Sequence, residues 1–506
     1  MSVRMVHIRT SGDGPVRVTL DSETRCVVPL VDHRRSPEQA TARDLRRTGA
    51  IVLLSCYELG HQPLSLALPL AYLREAGYRP IAIDAAVQEP DATMLAGAAL
   101  VAISVPMHTA LRIGVALGRR IREVNPGVHL CYYGLYAWLN RDYLLRELAD
   151  SVIGGEIELP LLGLVQALER GEPVTVPGVV TRQRDAQPAL VRVSFPVPAR
   201  ETLPPPRHYA HLVMNGRVVP AGYTETTRGC HHTCAHCPVV PVYRGRFFAI
   251  PRQVVLADIR QQVAQGVRHI TFGDPDFLNG PTHALRICRA LHDEFPDVTF
   301  DFTTRIEHIV AHRDLIPEFQ RLGCVFIVSA VELLSERVLR AIRKGHTRAD
   351  VVEALRICDE AGIALRPSLL PFTPWTTLAD YLELLAFIEE EELIEHVDPV
   401  HLSIRLLIPP GSALLEEPAI QPYLGELDEA NFTYTWRHPD PRMDALQRAV
   451  AALAEQATRE QWDPYCTFAA VRALAYEAAG KMPPAEPPRQ RRKRPAPPRL
   501  TESWFC

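Results

Sequence analysis

The chain has 506 residues, 47% hydrophobic and 23% charged, a balance that excludes a disordered protein and suggests two or three domains with sizeable cores. Its net charge of −4 gives no global attraction to nucleic acid. No uncharged apolar run reaches the length of a membrane span, and the opening Met1–Gly14 lacks the apolar core of a secretory signal, so a cytoplasmic protein with no nucleic-acid or membrane partner is expected.

Residues 1–49 are polar and weakly patterned and are read as an N-terminal arm. Over 50–170 short apolar runs alternate with amphipathic stretches. Strands are predicted at Ile51–Ser55, Pro80–Asp84, Leu100–Ser104 and Val128–Tyr132 and from Ser151, with helices over Leu64–Glu75 and about Ala110–Glu123. Such alternation predicts a doubly wound, flavodoxin-like parallel sheet, whose ligands bind beyond the carboxyl ends of the strands. Those ends carry Ser55–His61, Ser104–His108, Tyr133–Tyr136 and Gly154–Glu156.

Residues 171–221 are rich in proline and poor in periodicity and are read as a linker. Over 222–411 a second α/β series follows. Strands are predicted at Tyr223–Thr227, His269–Phe272, Thr299–Thr303, Val325–Ser329, Leu365–Leu370 and His401–Leu407. Helices such as Val254–Gln265, His283–Glu294 and Arg348–Glu360 separate them. Six βα units in a row predict a curved sheet, a partial (β/α)6 barrel. Residues 412–480 read as helical, and 481–506 as a disordered Pro/Arg-rich tail ending in Cys506.

Eleven cysteines in a chain of this size do not read as a disulfide framework. Cys56, Cys131, Cys288, Cys324 and Cys358 sit in or beside apolar segments and are read as small hydrophobes. Cys230, Cys234 and Cys237 differ: they follow a predicted strand with C-x3-C-x2-C spacing. Three thiolates on a four-iron cluster leave one iron open for a ligand that must chelate it. The rival is zinc held by the three cysteines and one of His231, His232 or His236, although structural zinc sites draw on two separated ligand pairs and no second CxxC is present.

This triplet, after the first strand of a six-unit βα series, resembles the radical S-adenosylmethionine (SAM) superfamily, over about residues 222–412. The resemblance implies a [4Fe–4S] cluster on Cys230, Cys234 and Cys237, SAM on the open iron, and an external electron donor such as flavodoxin or ferredoxin. It places His236 at the adenine and Gly273, Asp274 and Asp276 near the SAM amino group. Thr303 and Arg305 match the third strand end, Ser329 and Glu332 (followed by Lys344-Gly-His-Thr347) the ribose region, and Arg366 the fifth strand. Each has a structural alternative: Asp274 and Asp276 as helix caps, Glu332 as a solvated residue, Arg305 and Arg366 as framework ion pairs.

The first α/β unit resembles the cobalamin-binding domains of a radical SAM subgroup, Gly154-Gly-Glu156 being a shared feature. The Asp-x-His-x-x-Gly motif is absent, and His61 has the wrong spacing for it, so cobalamin and an empty crevice both stay open. The Trp504-Phe-Cys506 end resembles a radical SAM group whose tails continue with cysteine or selenocysteine and Ala-Glu-Pro. That group resembles enzymes that build carbon–arsenic bonds by 3-amino-3-carboxypropyl transfer, which would make Cys506 a soft catalytic thiol. The resemblances together imply an enzyme, of transferase type, that cleaves SAM reductively and passes a carbon group to a small-molecule or peptide substrate, trivalent arsenic among them. A cobalamin-dependent radical SAM methyltransferase and a non-enzymatic iron–sulfur redox or metal sensor are the alternatives.

Overall fold

The computed structural model describes residues 43–192, 194–484, 488 and 496–502, together with a strand pair at Met5–Val6 and Leu20–Asp21. Cys506, most of the N-terminal arm and most of the Pro/Arg-rich stretch lie outside the described residues.

Ile51–Ser55 and Leu100–Ser104 are apolar up to a closing serine and buried on both faces, the mark of strands covered by helices on either side. Odd and even side chains feed two different cores: Val52 and Leu54 enter one, Ile51 and Leu53 the other. The sheet runs Ile81–Asp84, Ile51–Ser55, Leu100–Ser104, His129–Tyr133, Ser151–Ile153, Val179–Thr181. Its first five strands are parallel and the last antiparallel. Taken in chain order the parallel strands lie 2-1-3-4-5, which puts the topological switch point between Ile51–Ser55 and Leu100–Ser104.

A second sheet runs Ala364–Leu369, Cys324–Glu332, Thr299–Thr303, His269–Phe272, Arg217–Thr224, His211–Met214, Arg499–Leu500. The first five strands are parallel and curl into a half-barrel, and the last two pair antiparallel. The expected sixth parallel strand at His401–Leu407 is not a ladder. Residues Pro399–Leu402 form a turn of 3-10 helix, and one bridge joins Phe372 to Arg405. Ile408, just beyond, spends its backbone on Thr433 and Tyr434 of a hairpin instead. That hairpin, Leu424–Asp428 with Thr433–Trp436, precedes the expected helices Pro441–Glu460 and Pro464–Ala478.

The linker is structured. Val179–Thr181 extends the first sheet, and His211–Met214 the second. Between them Arg200, fully buried, donates to both oxygens of Asp258 (2.5 and 2.8 Å), to Gln62 Oε1 and to the Tyr223 carbonyl, joining both α/β units. Within the tail read as disordered, Arg499 to Glu502 pack on the body. Arg499–Leu500 pairs with His211–Met214, Leu500 is buried with Leu212 and Phe326, and Tyr57 donates to Glu502. No helix among the described residues is long and apolar enough to cross a membrane.

Candidate iron–sulfur site

Cys230, Cys234 and Cys237 lie just past the carboxyl end of Arg217–Thr224, on a loop tied to the barrel by Asp274. Asp274 accepts from the Thr226 N–H (2.9 Å) and from the Thr226 and Thr227 hydroxyls (2.6 Å each), so both its oxygens serve to anchor the loop. Gly273 is glycine because Tyr223 lies against it: a Cβ there would come within 2.0 Å of that ring. Cys230 and Cys234 are buried and Cys237 half-buried. Burial pushes the Cys230 thiol up to about 11 and the Cys237 thiol up to about 12, and the other two sulfurs push Cys237 the same way. Thiols raised by burial ionise when a cation arrives to bind them.

The expected site residues divide into two groups. His236, Asp276, Arg305 and Glu332 come together around the loop. Arg305 donates to Cys234 Sγ at 3.1 Å, to Glu307 at 2.9 Å and to the Lys344 carbonyl. Glu332 sits in the left-handed region at φ 63°, a conformation costing about 1–3 kcal/mol for a non-glycine residue and found at functional sites. Burial would raise its carboxyl, yet Lys344 Nζ at 2.7 Å and His236 Nε2 at 3.2 Å hold it far below the usual carboxylate range. Asp276 is fully buried, accepts from the Thr304 hydroxyl at 2.6 Å and, against the effect of burial, is kept ionised by His232 and His308 beside it.

The other expected residues make contacts within the barrel and with the segments packed on it. The Ser329 hydroxyl donates to the Thr304 carbonyl at 2.6 Å, and Thr303 closes the third strand opposite Val328. Arg366 is not brought to the cysteines: it pairs with Asp398, donates to the Pro498 carbonyl of the tail and lies over the Phe326 ring. His231, His232 and His236 turn to Asn279, to Glu307 and to Glu332. Sequence reasoning missed Thr304, Glu307, His308 and Asn279. Only the His231-His232 doublet hinted at a histidine-rich rim.

The residues around the triplet fit a bound polar group. His236 Nδ1, Asn279 Nδ2, Arg305 Nε and His346 Nδ1 are buried with no hydrogen-bond partner among the described residues. Buried polar atoms without partners are rare in folded proteins unless a ligand or water supplies them.

The first unit meets this loop through charge. Arg228, two residues before Cys230, donates to Glu156 (3.0 Å) and to both oxygens of Glu158 (3.0 and 2.7 Å), and lies 3.4 Å from Glu225. Tyr243 donates to Glu156 at 2.9 Å. Glu156 and Glu158 follow the Gly154-Gly155 turn, so the carboxyl end of the first sheet faces the cysteine loop. Cys230, Val239 and Tyr243 share a core with Tyr136 and Trp138.

Residues 224–388 match the family model of the radical SAM superfamily. Among curated proteins the chain is 23% identical over 255 residues to an uncharacterized methyltransferase of Pyrococcus horikoshii, covering 48% of this chain and 53% of the relative. It is 26% identical over 200 residues to the ribosomal protein uS12 methylthiotransferase RimO of Porphyromonas gingivalis, covering 38% and 43%. The chain thus spans about half the length of the curated relatives it matches. Among solved structures it superposes on OxsB, a cobalamin-dependent SAM radical enzyme with aqua-cobalamin and SAM bound. The TM-score there is 0.65 at 18% identity, covering 81% of this chain and 67% of that one. It superposes also on the radical SAM methyltransferase TsrM of Kitasatospora setae, with tryptophan and a SAM analogue bound, at a TM-score of 0.58 and 16% identity, covering 86% and 96%. At these identities the likeness shows a shared fold. The cysteine loop and the strands beneath it match the radical SAM domain, a family whose cofactors are a [4Fe–4S] cluster and SAM.

Proposed function

We propose that the chain is a cobalamin-dependent radical SAM methyltransferase acting on a small-molecule or peptide acceptor. The observation that carries this reading is the Arg228 clasp, which holds the Gly154–Glu158 turn of the first sheet against the cysteine loop. A methyl carrier in the first unit's crevice would then sit beside the cluster and SAM.

The crevice residues suit a polar ligand. Ser55 and Ser104 end the two strands of the switch point in register with each other, and both hydroxyls are buried without a hydrogen-bond partner among the described residues. The nearby glycines serve the chain itself: a Cβ at Gly154 would meet the Trp138 ring at 2.2 Å, and one at Gly155 the Ala189 carbonyl, also at 2.2 Å. Ser55, Ser104 and the Tyr133–Tyr136 and Gly154–Glu156 turns would hold cobalamin, which when bound supplies a methyl carrier at its cobalt. Cys230, Cys234 and Cys237 would hold the cluster. His236 and Glu332, locked by Lys344, would orient SAM from one side, and Arg305 Nε would donate to its carboxylate from the other.

The protein reconstituted anaerobically with iron and sulfide is expected to retain about one equivalent of hydroxocobalamin through gel filtration. Ser104→Leu should lose it while keeping the cluster's visible absorption. Absence of retained cobalamin in the wild-type protein would leave the first unit as a scaffold and overturn the reading.

A further inference from the structure

Beside the cysteine loop, three histidines converge. His231 and His232 come from the loop itself, and His308 from the first turn of Ile306–Ala311, the helix after the third barrel strand. One ring nitrogen from each lies within 4.8 Å of the others. His232 Nε2 and His308 Nε2 are 3.3 Å apart. Metal–imidazole bonds of about 2.0–2.1 Å give tetrahedral ligand edges of about 3.3–3.4 Å, so this pair already stands at the separation that one shared ion would impose.

The other ring nitrogens support the same reading. His231 Nδ1 lies 2.7 Å from Asn279 Oδ1, His232 Nδ1 3.2 Å from Glu307 Oε1, and His308 Nδ1 2.9 Å from Asp276 Oδ2. The Asn279 oxygen accepts from His231 Nδ1, which favours the tautomer with the lone pair on Nε2, while Glu307 and Asp276 stand at ion-pair distance from His232 Nδ1 and His308 Nδ1. Carboxylate or amide behind imidazole is the support that metal-ligating histidines use. Asp276 adds a second observation. It is fully buried, and its Oδ2 faces both His308 Nδ1 and, at 3.4 Å, His232 Nε2 without an aligned hydrogen bond to either. A buried carboxylate oxygen without an aligned donor leaves room for a cation held by the same histidines.

We propose that His231, His232 and His308 form a second metal site, distinct from the cysteine triplet, that takes a divalent transition ion of the Zn2+ or Fe2+ class through their Nε2 atoms. Imidazole ligands select this class over Mg2+ and Ca2+. Asp276 and Glu307 bring two negative charges behind the histidines, which balance a divalent cation. His231 is exposed, so the ion is reachable from solvent, and three protein ligands leave a fourth position for water or substrate. None of these ligands is a cysteine, so the site and the cluster can be filled together.

The test uses the cluster-reconstituted full chain, gel-filtered and titrated anaerobically with Co2+ alone. The expected result is one saturable equivalent of cobalt per chain with weak visible d–d bands, and no thiolate-to-cobalt charge-transfer band in the near ultraviolet. His308→Ala should weaken binding by at least about a hundredfold, and Glu307→Gln by about tenfold, as loss of a supporting partner does. His312→Ala, whose ring lies 5.7 Å from His308 but outside the triad, should leave affinity unchanged. Iron content and the reduced-cluster electron paramagnetic resonance (EPR) signal of each variant show that it has folded and kept its cluster. No saturable cobalt in the wild-type protein, undiminished affinity in His308→Ala, or thiolate charge transfer would each overturn the proposal. All three outcomes are independent of whether cobalamin binds.

Discussion

Replacing Arg228 with methionine is expected to destabilise the protein by about 3–5 kcal/mol at pH 8, the cost of leaving buried charges without their partner. The side chains of Glu156 and Glu158 are 0% and 1% exposed, and Glu225 stands against the same guanidinium. With Arg228 present, burial still pushes Glu225 up to about 7 and raises Glu156, while the guanidinium overcomes burial at Glu158 and lowers it. Without Arg228 all three rise. A raised carboxyl contributes stability that is present below its unfolded value and is lost as pH climbs through its folded one. The gap between wild type and Arg228→Met should therefore be smallest near pH 5, where the variant's raised glutamates are protonated, and should widen steadily to pH 8. Thermal melts at several pH values check this. A gap that narrows as pH rises would mean that the clasp is not the counter-charge to these carboxylates.

The second large effect concerns the triplet. Cys230→Ala, Cys234→Ala and Cys237→Ala are each expected to abolish the broad visible absorption of the reconstituted cluster and to reduce bound iron to near zero. The fold should survive, because the loop is anchored by Asp274 through Thr226 and Thr227 rather than by the sulfurs. Arg305→Met is expected to keep the cluster but shift its midpoint potential downward, since it removes a charge-assisted donor 3.1 Å from Cys234 Sγ.

The regular elements were legible because the apolar runs that define them are buried on both faces. Ile51–Ser55, Leu64–Glu75, His269–Phe272 and Thr299–Thr303 stand at their predicted bounds. Where the pattern misled, another interaction had claimed the backbone. His401–Leu407 has the alternation of a strand, but proline brackets it and the neighbouring hairpin takes the hydrogen bonds of Ile408. The tail has the composition of a disordered segment, yet one apolar residue, Leu500, finds a sheet edge beside Leu212 and Phe326. Composition averages over such a contact.

What was legible is that the cysteines and, in motif order along the chain, His236, Asp276, Arg305 and Glu332 gather at one loop. Arg366 has the same position in that order, but Asp398 and the docked tail hold it elsewhere. Thr304, His308 and Asn279 carry no local signal, since their roles arise when the second and third strand ends are brought to the loop. Glu156 was singled out by its Gly-Gly turn. Its partner Arg228, 72 positions on, could not be read from sequence.

The central claim is that Cys230, Cys234 and Cys237 hold a [4Fe–4S] cluster with one iron free to bind SAM. It is tested most directly by EPR of the reconstituted, dithionite-reduced protein with and without SAM. The account predicts a fast-relaxing signal of a reduced four-iron cluster whose g-values shift when SAM is added, and no such signal in Cys234→Ala. A spectrum unchanged by SAM, or a protein that binds zinc at the triplet and no iron, would contradict it.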